Sequence, residues 1–537
     1  MSKSFFLIRE KIIFLMFLLT ETLPYVTICS NVTINSNIRH KVMLENYFGG
    51  RKMKHRMDLM YKCIPNSRYT PYLLAKKIGA RAILESASFA KGRERYSILM
   101  TEEAFKIKQE GEEISLIIDG KQMPFDAAAC LEDEKSLDAL GREKAPDILD
   151  ALLYIAQQNI TPPGPISELP LPASGLGYLS YEFAKHCDNI RFFEQKDELE
   201  IPESLFVTGH IYIIFDHFTE EMHIFALNYN EHQIDLGAAM ERILKRINDM
   251  DFSYVVEENQ TFEYKMLTDL EASKAEYIKK VTALKKHIVA GDIIQAVPSR
   301  RVQIECKAEA LAVYGKLRKV NPSPYLFYID FGDFQFTGAS PESLVRVRKG
   351  KAVIHPIAGT IRRGKTEAED EKLKIELRNN PKEQAEHLML VDLARNDLGR
   401  VCERGSVDVS QYMDCEVFSH VIHLVSTTEG IVRKDVKPIQ VLRASFPAGT
   451  VSGAPKISAM QILSGLEKTK RRFYAGAVGY IQPSGDLDFC ISIRCALRKG
   501  NIWNLQAGGG IVFDSEPERE FTETCEKLGA LIDTLTK

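Results

Sequence analysis

Glutamates recur in pairs three residues apart on two helix-like stretches of this chain. In "NPKEQAEHLMLVD" they are Glu383 and Glu386, and in "EREFTETCEKLGA" they are Glu520 and Glu523. Residues three apart share a helix face, so each stretch offers two carboxylates in one direction. Four carboxylates from two helices suit one hard divalent cation held by oxygen alone, which points to magnesium. A di-iron carboxylate centre would need Glu-x-x-His pairs contributed in the same way, and the paired glutamates do not supply them. Glutamates at this spacing are also ordinary solvated helix faces, so the chemistry depends on what lies beside them.

Three other stretches bear on that question. "QAGGGIVFDSEPERE" puts a triple glycine, Gly508 to Gly510, just before the second acidic helix, where bare backbone N–H groups can approach a carboxylate. "GTVSGAPK" is a second small-residue loop with hydroxyls at Thr450 and Ser452. "ISIRCAL" sets Arg494 in a strand of mostly apolar residues, where an inward arginine needs an anionic partner. Glycine loops usually serve turns, but together these features describe a site for a ligand with more than one carboxylate, bridged by magnesium. A Pro/Gly loop, "HPIAGT", shows a shape fit for an anion and carries alanine, not lysine, at Ala358.

The elements that position these groups follow from periodicity. "RYSILM", "EEISLIIDGKQM", "LFVTGHIYIIFDHF" and "EMHIFALNY" read as strands, the last two paired, and "SLDALGREKAPDILDALLYIAQQ" has helical apolar spacing. Later strands are expected at "HVIHLVSTTEG", "FYAGAVGYIQ", "DFCISIRCALRKG" and "IWNLQAGGGIVF". Hairpin-like runs of strands with helices between and after them predict an α+β fold: two largely antiparallel sheets packed face to face with helices outside. The polar stretch "EENQTFEYKMLTD" divides a first domain, 65–255, from a second, 265–535.

The chain has 537 residues, 45% hydrophobic and 27% charged, an ordinary globular composition with room for a large core. A net charge of -3 gives no electrostatic case for a nucleic-acid partner. Ten cysteines stand singly, without C-x-x-C pairs, which argues for reduced packing thiols and against a disulfide scaffold or zinc site. No run is long enough to span a bilayer, although "KIIFLMFLL" after Lys3, Arg9 and Lys11 resembles the start of a signal peptide with a poor cleavage site. The reading adopted is that translation begins at Met53 or Met57, that residues 1–52 are an extension outside the fold, and that the protein is cytoplasmic.

At this point a resemblance is evident. From about Asp292 to Leu531 the chain resembles the chorismate-utilising enzymes, and within them the anthranilate synthase large subunits. It rests on "IIQAVPSRR", "NPSPYLFYIDF", "GASPESLVRV", "PIAGTIRRG", "EQAEHLMLVDLARNDLGRV", "GTVSGAPKISAMQIL", "YAGAVGYI" and "QAGGGIVFDSEPEREFTET", with looser matches at "ILESA" and "GLGYLSYE". It implies Glu386 and Glu523 as magnesium ligands, with Glu383 and Glu520 as companion acids. Gly359, Thr360, Tyr474, Arg494 and Gly508, Gly509 and Gly510 fall on chorismate contacts. Glu342 falls on the acid that assists departure of the 4-hydroxyl, and His423 and Thr450 on further active-site positions.

The implied reaction is magnesium-dependent amination of chorismate by ammonia, with pyruvate elimination giving anthranilate, the first committed step of tryptophan synthesis. Ala358 bears on the choice within the family. Aminodeoxychorismate synthases of the folate pathway, the alternative, typically carry a nucleophilic lysine there, and isochorismate synthases a water-activating lysine at the position of Gln295. Glutamine has no basic lone pair near neutral pH. With both lysines absent, ammonia must arrive from outside. The chain has no Gly-x-Cys-x-Gly amidotransferase motif. The resemblance therefore implies a separate glutamine amidotransferase subunit in a heterotetramer. It also implies an L-tryptophan feedback site at Glu85, Ser86, Pro324, Tyr325 and Leu326.

Overall fold

Period-two alternation sorts the long strands onto two apolar cores. In Ser204–Asp216, Phe206, Tyr212 and Ile214 join one core while Ile211, Ile213 and Phe215 join the other. The strand is buried along its whole length, as a strand covered on both faces must be. Tyr325–Asp330 divides likewise, with Phe327 and Ile329 on the first core and Leu326 and Tyr328 on the second. The computed structural model describes residues 57, 59–88, 92–93, 95–131, 135–159, 164–249, 262–417 and 421–537. The expected extension 1–52 lies outside these residues, as do residues 257–261 of the expected boundary stretch 257–269.

The strand pairings in the main sheet are antiparallel and form two layers that share Ser204–Asp216. One layer runs from Leu59–Pro65 through Ser204–Asp216, Tyr96–Glu110, Ala82–Glu85 and Tyr325–Asp330 to Ile502–Gly508 and Ser299–Cys306. The other runs through Leu176–Leu179, Ala477–Ile481, Leu487–Ile491 and Ser343–Arg348 to Val421–Ile431. A register shift between Glu103 and Phe105 breaks the pairing of the two longest strands, the kind of bulge that bends a strand between layers. The first core fills the space between the layers, where Phe206 meets Phe489 edge to face. Helices Pro71–Ile78, Leu236–Asn248, Ala310–Val320 and Pro517–Thr536 cover the outer face of the first layer. The segments 65–255 and 265–535 thus contribute strands to one continuous sheet, within the compact unit His55–Lys537.

Two expectations need correcting. The helix expected across "SLDALGREKAPDILDALLYIAQQ" is only Ile148–Gln157. Gly141 lies at φ +77, and Asp147 caps the helix in a capping box with Asp150, so the chain turns through the first half. "DFCISIRCALRKG" is two strands, Leu487–Ile491 and Cys495–Lys499, with Arg494 in the turn between them. The cysteines among the described residues are free thiols, as expected.

One buried ion pair ties the loops together. The Arg471 guanidinium donates to both carboxylate oxygens of Glu467, at 2.7 and 2.8 Å, and also to the carbonyls of Val451 and Val297. Glu467 in turn accepts from the Ser299 backbone and hydroxyl. From the other layer, the Glu182 carboxylate of "GLGYLSYE" accepts the backbone N–H groups of Arg471 and Arg472. Removing one partner of a buried pair strands the other, at a cost of about 3–5 kcal/mol. We predict that Arg471→Ala lowers the unfolding free energy by about that amount in urea titration; a loss below about 1 kcal/mol would show that the node does not hold these loops.

Candidate active site

The first acidic helix, Pro381–Gly399, starts where Asn380 accepts the N–H of Lys382 and Glu383 and Pro381 occupies the first turn. Glu383 and Glu386 therefore sit in its opening turns, against the strands Ile357–Arg362 and Val421–Ile431. The second, Pro517–Thr536, begins likewise with a proline and carries Glu520 and Glu523. The two helices converge. Glu386 is raised above the ordinary carboxylate range by burial and then by the charges of Glu383 and Glu523. Glu520 is raised by burial and by Glu523, against a hydrogen bond from Ser515. Burial opposes the charge on Glu523, yet its pKa is lowered, because Lys527 at 2.7 Å, and then Arg494, favour it.

The triple glycine explains itself residue by residue. A Cβ on Gly508 would stand 2.5 Å from the Pro298 carbonyl and 3.0 Å from the Tyr474 hydroxyl. On Gly509 it would stand 3.2 Å from Glu520 Oε2 and 3.3 Å from the Tyr277 hydroxyl, and on Gly510 2.6 Å from Gln295 Nε2. Each glycine lets a different side chain of the site close on the backbone. Gln295 lies on a short strand whose neighbours are the "GTVSGAPK" loop on one side, through Ala454 and Gly453, and Ile511 on the other.

"PIAGT" is a strand with a bulge, not a free loop. Gly359 sits at φ +62 where the register shifts between Ala358 and Thr360, opposite Leu424 and His423. A Cβ there would lie 3.1 Å from Glu383 Oε2. The bulge turns the Gly359 carbonyl toward His423 Nδ1 at 3.2 Å, with the Thr360 hydroxyl at 3.0 Å. A carbonyl only accepts, so Nδ1 carries the proton and Nε2 the lone pair. Burial, opposed by that carbonyl, brings the imidazole pKa down to about 4, so it is neutral at physiological pH.

Arg494 adopts φ +52, a left-handed conformation that a side-chain-bearing residue takes only when its surroundings impose it. The strain aims the guanidinium among Tyr474, Glu523 and Glu342, the charges that offset its burial. Glu342 is buried, and desolvation raises its carboxyl to about 8 despite the nearby Thr450 hydroxyl, Lys527 and Arg494. Glu342, Glu383, Glu386, Glu520, Glu523, Gly359, Thr360, His423, Thr450, Tyr474, Arg494 and the triple glycine therefore form one neighbourhood. Two members were not legible beforehand. Lys527 bonds Glu523 and donates to the Gly508 carbonyl at 2.9 Å; its i+4 spacing from Glu523 was the available signal. Tyr277 sits in a helical pattern with Val281 and Leu284 that reads as plain core, yet its buried hydroxyl faces Glu520 and Gly509.

Glu85, Ser86, Pro324, Tyr325 and Leu326 line a separate cavity of about 850 Å³, with Pro341, Ser343, Ile357, Tyr480 and Asp488. The Glu85 carboxylate accepts from Tyr314 at 2.6 Å and Arg318 at 2.8 Å on the helix side, and Leu326 packs into the same outer core. Tyr325 donates to Asp488 at 3.0 Å. Among the described residues, the three donor atoms within 4.8 Å of one another are those of Cys63, Glu221 and His223 at the sheet edge, not the four glutamates.

The chorismate binding enzyme family matches residues 111–533. Anthranilate synthase component 1 of Spirochaeta aurantia is 47% identical over 480 residues, 89% of this chain and 96% of the relative. The crystal structure of anthranilate synthase component I from Streptococcus pneumoniae superposes with a TM-score of 0.67 at 32% identity, covering 82% of this chain and 92% of the other. The menaquinone-specific isochorismate synthase of Escherichia coli superposes at 0.59 with 19% identity over 92% and 98% of the two chains, a likeness of fold alone.

Glu342 yields a sign that can be checked. Its folded pKa of about 8 stands above the ordinary 4.5, so the native state holds its proton more tightly and stability falls as pH rises between those values. Glu342→Gln removes that loss. Its denaturation midpoint should match the parent near pH 4.5 and exceed it at pH 8; equal midpoints at both would mean that Glu342 is ionised in the fold.

Proposed function

The chain belongs to the chorismate-binding enzymes, and from that premise we propose that it converts chorismate and ammonia to anthranilate and pyruvate, under feedback inhibition by L-tryptophan. The observation that carries this reading is the buried Glu342 carboxyl, neutral near pH 7, in one neighbourhood with Arg494, Lys527 and two acidic helices. The identity to component 1 relatives supports the same choice.

The residues fit a magnesium ion. Glu383 on the same helix and Glu523 on the other both raise the Glu386 carboxyl, a repulsion that a divalent cation relieves. Magnesium commonly keeps several waters and takes one or two carboxylates, so Glu386 and Glu523 suffice as ligands, with Glu383 and Glu520 holding its waters. When bound it would neutralise the ring carboxylate and draw electron density from the ring.

The chain's own groups do the rest. Backbone N–H groups of Gly508 to Gly510 receive the ring carboxylate, and Arg494 with Tyr474 receives the second carboxylate. Glu342 gives its proton to the departing 4-hydroxyl, which leaves as water while ammonia adds to the ring. His423, neutral with Nε2 basic, assists the proton removal that releases pyruvate. Ala358 is buried and has no nucleophile, which counts against aminodeoxychorismate formation. Ammonia comes from a separate glutamine amidotransferase subunit in a heterotetramer; the component 1 names of the relatives support such a partner. No helix among the described residues is long and apolar enough to cross a membrane, in keeping with the proposed cytoplasmic setting.

Purified chain given chorismate, magnesium and an ammonium salt should form anthranilate, read by fluorescence and mass, and pyruvate, with chelator abolishing both. Aminodeoxychorismate or isochorismate as product would sink the reading. Glu386→Gln and Glu523→Gln should each lower turnover at least ~100-fold, since even partners of metal ligands are worth 10–100-fold; near-parent rates in either would remove it as a ligand.

The feedback proposal places tryptophan in the 850 Å³ cavity, within the range of small-molecule pockets. Ser86→Phe should raise the tryptophan concentration for half-inhibition at least tenfold with KM for chorismate unchanged. Unaltered inhibition would place the inhibitor elsewhere.

A further inference from the structure

Beside Glu342 lies a second, small and partly open space of about 30 Å³. One wall is a single face of the Pro381–Gly399 helix, carrying Leu390, Ala394 and Asp397 at helical spacing; the opposite wall includes Glu342 and Thr450. Much of the lining is apolar, yet Asp397 Oδ1 has no hydrogen-bond partner in it among the described residues, and the Thr450 hydroxyl has none besides the Glu342 carboxyl. Asp397 is 4% exposed, and its other oxygen accepts from Lys456 at 2.9 Å. A buried carboxylate oxygen without a partner is costly, and buried polar groups of this kind are ordinarily satisfied by ordered water. A water needs ~10–15 Å³ of such space, so this one has room for about two.

We propose that this cavity holds a short water relay joining Asp397 to Glu342 past the Thr450 hydroxyl, and that Asp397 and Lys456 resupply the proton that Glu342 spends. The inference rests on Glu342 being the acid of the proposed reaction. When the ring C–O bond breaks, its electron pair stays on oxygen, the Glu342 proton goes to that oxygen, and water leaves. Glu342 is then a carboxylate in a site that disfavours its charge. It takes a proton from the nearer cavity water, and that water takes one from the Asp397–Lys456 pair. That proton comes from the Lys456 ammonium by way of the Asp397 carboxylate, and the Lys456 amine so formed takes one back from solvent, its side chain being 9% exposed. Bulk water need not enter the reacting face, where it would compete with ammonia. Asp397 and Lys456 act through the relay and are positioning residues; neither is assigned a contact with substrate.

Two variants interrupt the relay differently. Asp397→Asn removes the carboxylate that passes the proton on and keeps the shape. Ala394→Val adds methyl groups on the cavity wall and leaves every polar group in place. Both should lower kcat at least tenfold with KM for chorismate within twofold, and the solvent deuterium isotope effect on kcat should rise, because proton return becomes limiting. A lost side-chain contact without a relay would not move the isotope effect in both. Turnover within twofold of the parent in Ala394→Val, or a dry cavity in a high-resolution crystal structure of the parent, would overturn the relay even if Asp397→Asn fails to fold. A parent protein that makes no anthranilate defeats the proposed reaction, and the relay with it; a parent that makes it alongside unaffected variants defeats the relay alone.

Discussion

The site hangs on the buried pair of Arg471 and Glu467. One guanidinium reaches a carboxylate, the carbonyl next to Thr450 and the carbonyl next to Pro298, so the hydroxyl loop and the strand behind the triple glycine are set by the same side chain through four hydrogen bonds. The arginine also lies over the Tyr181 ring at 4.4 Å, and Tyr474 follows it by three residues. Lysine could not reproduce this, because it lacks the planar fork. The motifs that stand far apart along the chain are therefore one object held at one point, and Glu182 fixes that point to the opposite layer.

Around this node the protein accepts unfavourable electrostatics. Glu386 and Glu520 are pushed up by burial and by their neighbours' charge, Glu342 by burial alone, and Arg494 is held in a left-handed backbone conformation. These costs have opposite uses. The facing acids make a place where positive charge is wanted, while the lone buried acid keeps a proton to give. Lys527 acts on both regimes, since its charge favours ionised Glu523 and opposes the rise of the buried Glu342 carboxyl.

What could be read in advance divides along physical lines. The acidic helices were legible because proline, cap and three-residue spacing are local signals, and they survive at Pro381–Gly399 and Pro517–Thr536. The strands were legible from alternation, and the layered antiparallel fold follows from their order. Arg494 was misplaced into a strand because nothing in "ISIRCAL" announces a left-handed residue; the long-range site imposes that conformation. Glu85 was read as a ligand contact, and what the sequence did not show is that its carboxylate also accepts from Tyr314 and Arg318, more than two hundred residues along the chain. Tyr277 and the partner role of Glu182 were invisible for the same reason, being defined by what the fold brings to them.

The two cavities share their walls. Pro341 and Ser343 line the 850 Å³ cavity while Glu342, between them, lines the 30 Å³ one; Ile357 lines the first, and two residues on, Gly359 shapes the bulge under His423. An occupant of the larger cavity therefore presses on the backbone that positions Glu342 and backs His423, the proposed acid and base. The heritable consequence concerns escape. Desensitising substitutions at Ser343 or Ile357 would fall within two residues of Glu342 or Gly359, proposed members of the reacting site, and most would damage both functions. Ser86, Pro324 and Tyr480 line the same cavity and lie outside those windows of sequence, so resistance to an inhibitor in this cavity has few routes.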